Sequence, residues 1–294
     1  MRVGVVIVPT DPWPVAVSQA RAVEALGFDH LWTYDHLSWQ HYRDEPWLAA
    51  LPWLTGIATA TARIRIGTLV SSPNFREPLT LAKDAIAIDH ISDGRFILGV
   101  GAGGVGYDAT VYGTEMLDPR SRSTRFGEFV EAIDGLLTHH AFSYHGEYYM
   151  IDDARTTPGP KQVPRLPLAV AAAGPKAIAL AARFADSWIT IGDPWHDDSA
   201  AGIAQAVRDQ SHRLTDACIA IGRDPSTIDR IWLTGAGDHR PLASVAAFDD
   251  AVGRAVAAGI TDVLVHHPRA GDPSWDDPPE ILAQIAAGMP SRSP

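Results

Sequence analysis

Eight short runs of β-branched and apolar residues, near positions 2–8, 29–34, 64–70, 95–100, 166–171, 186–191, 228–234 and 261–266, each give way to a stretch of helical periodicity. Runs that are apolar throughout, instead of alternating, are what parallel strands need when helices cover them from outside. In series, the runs predict an α/β chain folded as a (β/α)8 TIM barrel, whose chemistry is built from the loops that follow the strands. The residues in those places are Asp35-His36, Ser71-Ser72-Pro73-Asn74, Gly101-Ala102-Gly103-Gly104, Ala173-Gly174-Pro175 and His266-His267. An enzyme is therefore the leading expectation before any motif is weighed.

A length of 294 residues suits one such barrel, so 1–294 is read as a single domain with a frayed tail at 290–294. Two insertions are expected, after strand 4 (101–125) and after helix 4 (141–165). In the second, Phe142-Ser143-Tyr144, His145-Gly146-Glu147 and Tyr148-Tyr149-Met150 read as strand, turn and strand. The first helix is expected to turn Val15, Ala22, Val23 and Leu26 toward the sheet, with Asp11 before Pro12 as its start signal and Gly27 as its stop. Gly259 ends the seventh helix in the same way.

Acidic residues outnumber basic ones by 35 to 24, giving a net charge of −11, and the basic residues are scattered. That argues against a nucleic-acid partner and for small molecules. No run approaches the roughly 20 apolar residues of a membrane span. The N-terminal run Met1 to Val8 is too short for a signal peptide and reads as the first strand. A lone Cys218 excludes an internal disulfide framework, fits a cytoplasmic location, and reads as filler in a helical stretch.

Gly101-Ala102-Gly103-Gly104-Val105-Gly106 matches GxGxxG, but its strand is the fourth of the series and no long helix opens at its last glycine. A dinucleotide site is rejected on that context. What remains is backbone that a flat ligand can approach closely. Asp35-His36 admits three readings: a metal pair, an acid/base pair, or a structural pair. No helical ligand spacing accompanies it, so no metal is expected. The favoured reading puts His36 on the rim as a proton-transfer group with Asp35 holding its tautomer. His139-His140 reads as a helix C-cap, and which of His266 and His267 faces the pocket stays open. Ala173-Gly174-Pro175-Lys176 places a glycine turn and a lysine at a helix start, a ready phosphate site. No serine-hydrolase elbow occurs, and the carboxylates Asp35, Asp108 and Asp193 are too scattered to suggest a glycosidase.

Several segments resemble the bacterial-luciferase-like family of flavin- and deazaflavin-dependent oxidoreductases over nearly the whole chain. They are Gly27 to Trp32 with Asp35-His36, Ile66 to Pro78, Asp89 to Gly103, Phe126-Gly127-Glu128, His145 to Tyr149, and Ala173 through Trp188. The segment Thr68 to Arg76 is most similar to members that use coenzyme F-420. The resemblance implies hydride transfer between coenzyme F-420 and a small organic substrate. Alternatives are an FMN-dependent monooxygenase, a non-catalytic ligand-binding barrel, and a hydrolase or aldolase barrel with no chromophore. It places the cofactor ring against Asp35, His36, Leu69, Val70, Ala102 and Gly103, and the phosphate near Ala173, Gly174, Ile191 and Gly192. It also implies a non-prolyl cis peptide at Leu69-Val70.

Sugar-phosphate dehydrogenases of this family carry a catalytic Glu where this chain has Gly104. The proton donor is then His36, with Asp108 as the next choice. The family's pairing habit points to a homodimer through 46–61, rich in Trp47, Leu48, Leu51, Trp53, Leu54 and Ile57. The competing reading is that Pro52 breaks this stretch and both halves pack inward. Substrate identity would be set by loop aromatics, namely Trp13, Trp39, Tyr42, Trp47, Tyr107, Tyr112 and Trp195.

Overall fold

A computed structural model of the chain describes residues 1–104, 106–237 and 239–289. The expected frayed tail at 290–294, and Val105 of the glycine turn, lie outside them. The strands, in chain order, are β1 (Arg2–Val6), β2 (His30–Thr33), β3 (Arg65–Thr68), β4 (Phe96–Val100), β5 (Ala141–His145), β6 (Met150–Arg155), β7 (Leu168–Ala171), β8 (Ser187–Thr190), β9 (Asp229–Leu233) and β10 (Asp262–His266). All but β5 and β6 close into a parallel barrel in the order β1-β10-β9-β8-β7-β4-β3-β2, a TIM barrel. Each expected run coincides with a barrel strand, because a strand buried on both faces announces itself as continuous apolar sequence.

The helices are α1 (Trp13–Ala25), α2 (Ala50–Ala60), α3 (Pro78–Ile91), α4 (Tyr107–Thr110), α5 (Pro119–Thr138), α6 (Pro175–Phe184), α7 (Ala200–Ala220), α8 (Val245–Ala257) and α9 (Ile281–Gly288). The insertion after β4 holds the single turn α4, too short for a dinucleotide helix. The insertion after α5 is the β5–β6 hairpin. Its turn is pinned by Glu128, whose carboxylate accepts from the N–H groups of Glu147 and Tyr148 at 2.8 Å each. Asp89 secures the return to β7 by accepting from the Lys161 and Gln162 N–H groups at 2.8 and 3.0 Å.

Among the described residues, two apolar clusters result. The larger fills the layer between sheet and helices, and the smaller lies inside the barrel and continues into its mouth through Tyr34, Tyr42, Leu69 and Trp275. At the opposite end, His30 Nε2 donates to Asp262 at 2.9 Å while its Nδ1 accepts from Trp32 Nε1 at 2.7 Å, and Arg2 clamps the same carboxylate at 2.6 and 2.7 Å. Burial works to raise the Asp262 pKa, but the His30 and Arg2 hydrogen bonds outweigh it and bring it down to about 2.

Three local expectations are corrected. The inward face of α1 is Ala16, Ala20 and Val23, whereas Val15 and Ala22 are exposed. Positions 16, 20 and 23 share one helical stripe, and 15 and 22 fall a residue outside it. Asp11 does not cap α1; its carboxylate instead accepts from Gln19 and Arg269 at 3.0 and 2.9 Å. Pro52 does not break α2, since it sits in the first turn, where a proline N–H is not needed. Leu51, Trp53, Leu54 and Ile57 are buried within the chain, so most of the apolar surface that pointed to a dimer is already covered. His139 is the C-cap of α5 as expected, with its Nδ1 3.1 Å from the Gly135 carbonyl.

Candidate active site

The C-terminal mouth of the barrel opens into a cavity of about 880 Å³. That is within the roughly 300–1,000 Å³ usual for cofactor and ligand pockets. Its floor comes from the strand ends, with Leu69 and Val70 after β3, Gly101 and Ala102 after β4, Ala171 at the end of β7 with Ala172 next to it, and Ile189 in β8 with Ile191 just after it. The Leu69-Val70 peptide is cis, at the position the resemblance named. Thr68 ties β3 to β4 there, its Oγ1 donating to the Gly99 carbonyl at 2.8 Å and accepting from the Gly99 N–H at 3.0 Å.

The glycines are explained by contact. A Cβ on Gly99 would lie 1.9 Å from the Thr68 carbonyl oxygen, and one on Gly101 would lie 2.5 Å from Val70. Gly103 has φ +75° and packs on Asn74, which Arg125 holds by donating to its Oδ1 at 2.6 Å. At Gly104, by contrast, a side chain would meet nothing within 4 Å. The glycine there leaves space on the cavity wall.

His36 lines the cavity just after β2. Its Nδ1 donates to Asp108 Oδ2 at 2.5 Å, and the other carboxylate oxygen accepts from the Leu37 N–H at 3.0 Å. Trp47 Nε1 donates to the His36 carbonyl at 2.8 Å, and the Trp39 ring lies nearly parallel to the imidazole at 6.2 Å. Because an ionised carboxylate only accepts, Asp108 fixes the proton on Nδ1 and leaves Nε2 as the nitrogen that can take or give a proton.

Asp35 does not play that part. It is only 1% exposed, accepts from Ser71 Oγ at 2.6 Å, and forms a two-pronged pair with Arg76 at 2.6 and 3.0 Å. Its position one residue from His36 puts it on the far side of the strand end, behind the cavity wall, because successive side chains of an extended chain point oppositely.

Of the other expected residues, Leu69, Val70, Ala102, Gly103, Ala173, Ile191 and Gly192 line the cavity together with Asp108 and His36. Gly174 sits one residue beyond the lining as the N-cap of α6, without a side chain to accept from the first-turn N–H groups. Lys176 is exposed on that first turn. Neither His266, the last residue of β10, nor His267 lines this cavity. His266 is buried, stacked on Trp275 at 4.4 Å and 2.7 Å from the Tyr34 hydroxyl, and burial lowers its pKa to about 3. His267 is turned back onto the Pro268 carbonyl at 2.9 Å.

Among the aromatic residues, Trp39, Tyr107 and Trp195 line the cavity. Tyr42 donates to Asp272, Trp13 packs over Gly56, and Tyr112 is exposed. Arg43 and Arg122 also line the cavity and were not foreseen. Nothing in a loop sequence separates an arginine facing a pocket from one facing water.

The sequence profile of luciferase-like monooxygenases matches residues 1–235. An uncharacterised protein of Mycobacterium tuberculosis is 30% identical over 98% of this chain and 99% of its own length. The F420-dependent glucose-6-phosphate dehydrogenase of Amycolatopsis mediterranei is 35% identical over 59% of this chain; this chain spans about half of that relative, 52%. Among solved structures, an F420-dependent secondary alcohol dehydrogenase in complex with an F420-acetone adduct superposes with a TM-score of 0.80 over 98% of both chains at 17% identity, which shows the shared fold. With the profile covering most of the chain and the barrel closed as described, the chain belongs to the luciferase-like monooxygenase family.

Proposed function

We propose that this protein is a coenzyme F-420-dependent oxidoreductase that moves hydride between the deazaflavin and a small alcohol or carbonyl substrate. The observation that carries this reading is the His36–Asp108 pair at the edge of an apolar, glycine-lined cavity of about 880 Å³. The site fits such a cofactor on its own terms. Leu69, Val70, Ala102 and Ile189 offer apolar surface to a flat ring, and the glycines admit it to the backbone. The Ala173-Gly174 turn and the start of α6 offer backbone N–H groups to a phosphate, with the turn at Ile191-Gly192 lining the cavity beside them. Bound there, the cofactor supplies the hydride acceptor or donor.

The chain's own residues handle the proton. In the oxidising direction His36 Nε2 takes the hydroxyl proton of an alcohol as hydride leaves its carbon, and in reduction it returns that proton to the carbonyl oxygen. Asp108 stabilises the imidazolium formed meanwhile and keeps the ring oriented. Leu69, Ile189 and Trp39 exclude water from the reacting atoms. Relatives named as F420-dependent dehydrogenases support the choice of cofactor, among them one acting on hydroxymycolic acid that is 29% identical over 81% of this chain.

A titration with F-420 and with FMN, followed by fluorescence quenching, tests the reading. Tighter binding of F-420 is expected, and comparable or tighter FMN binding overturns it in favour of a flavin monooxygenase. Association of two copies rests on the resemblance alone, with α2 packed inward. Among the described residues no helix is long and apolar enough to cross a membrane. The lone, buried Cys218 suits a reducing compartment such as the cytoplasm.

A further inference from the structure

Among the described residues, the cavity's unpaired charges are of one sign. Arg43 and Arg122 both line it, and among the described residues neither guanidinium has a carboxylate partner. Asp108, the acid that lines it with them, is already bonded to His36 and the Leu37 N–H. This happens in a chain whose net charge is −11, where an arginine has many acids to pair with. Unpaired guanidinium groups facing a pocket are suited to an anionic ligand.

The two arginines stand on different walls. Arg122 lies in the first turn of α5, the helix whose Arg125 holds Asn74 against Gly103. Arg43 instead sits over the Tyr107 ring at 5.5 Å, and Tyr107 directly precedes Asp108, the partner of His36. Ser38 fixes that loop by donating to the Arg43 carbonyl at 3.0 Å. The cofactor phosphate is assigned above to the turns after β7 and β8, leaving the Arg43 charge, on the loop that follows His36, for something else. The wall around it is aromatic, with Trp39 stacked parallel on Trp275 at 5.6 Å and the 83% exposed Trp195 on another bank of the mouth.

Resting on the hydride-transfer reading, we propose that the substrate is an organic acid, an apolar alcohol or ketone carrying a carboxylate, and that Arg43 is the residue that selects it. The carboxylate meets Arg43, the apolar skeleton lies against Trp39, and the carbinol or carbonyl group is thereby brought to His36. With F-420 bound as hydride acceptor, the carbinol carbon would give up hydride while its hydroxyl proton goes to His36 Nε2.

A matched pair of probes tests this: 4-acetylbenzoate and acetophenone share a skeleton and differ by one carboxylate. Ligand-observed NMR titrations use the F-420-loaded protein and the protein alone, each as wild type, Arg43→Gln and Arg122→Gln. We expect wild type to bind 4-acetylbenzoate about tenfold tighter than acetophenone, a gap one charge-assisted contact can provide. Arg43→Gln should abolish the preference while its F-420 affinity stays unchanged, and Arg122→Gln should keep it. Equal binding of the two probes by wild type, a preference that survives Arg43→Gln, or tighter binding of glucose 6-phosphate than of 4-acetylbenzoate overturns the proposal. Failure of F-420 to bind wild type overturns the cofactor reading instead, and the probe preference of the protein alone then still decides the role of Arg43.

Discussion

Asp108 reaches back across 72 residues to hold His36, with Oδ2 2.5 Å from Nδ1, and it does so from a helix of one turn. In this chain that carboxylate stands four positions beyond Gly104, where a side chain would meet open space. The pair therefore joins the loops after β2 and β4 across the cavity rim.

His36→Ala is expected to lower kcat by about two orders of magnitude, the usual loss when a positioned proton-transfer group is removed. Asp108→Asn should act in the same direction, because an amide presents either an acceptor or a donor to Nδ1 and no longer fixes the tautomer. Steady-state kinetics with a turned-over substrate, alongside F-420 titrations showing unchanged affinity, check both. Parental kcat in His36→Ala would make His36 structural.

Arg76→Met should cost about 3–5 kcal/mol, since it strands the buried Asp35 carboxylate without its two-pronged partner. Adding Asp35→Asn should recover part of that loss by removing the charge. Urea denaturation midpoints of the single and double variants measure it, and a double variant no more stable than the single one would contradict the account.

Gly99→Ala and Gly104→Ala form a contrasting pair. The first drives a methyl against the Thr68 carbonyl at 1.9 Å, and a loss of about 1–3 kcal/mol or more is expected from such overpacking. The second meets no neighbour within 4 Å and should stay within about 0.5 kcal/mol of wild type. Thermal melts of the two variants side by side provide the comparison.

Acid should destabilise the fold partly through His266. Burial holds its pKa down at about 3 against the ordinary 6.5, so between those values the unfolded chain takes up a proton that the folded one refuses. Stability is complete above the ordinary value and falls with pH by up to about 1.4 kcal/mol per unit below it. His30, buried and also lowered, adds to the same slope. Denaturation midpoints from pH 7 to 5 should show a shallower dependence in His266→Gln than in wild type.

The barrel was legible because its strands are sandwiched, and sandwiched strands need apolar residues at every position. Helix faces were less so. In α1 the small residues Ala16 and Ala20 make the contact while the bulkier Val15 faces out, the reverse of what size alone suggests. The rim positions Asp35 and His36 could be picked out, yet their partners could not. Arg76 and Asp108 lie 41 and 72 residues away, and adjacency in sequence falsely coupled the two neighbours to each other. The aromatic loop residues divided for a similar reason. Tyr42 and Trp47 are spent on bonds to Asp272 and to the His36 carbonyl, and only the fold reveals which rings remain for a ligand.

The separation of the two apolar clusters bears on how this protein can change. Trp39, Leu69 and Trp275 belong to the inner cluster and its fringe, whereas the helices are fastened by the outer one. Trp39, Arg43, Tyr107 and Trp195 line the cavity and lie outside the outer cluster, so substitutions there should draw little on the layer that keeps the barrel closed. On the proposed reading, selectivity can drift, or be bred in a randomised library, without rebuilding the helix layer of the scaffold.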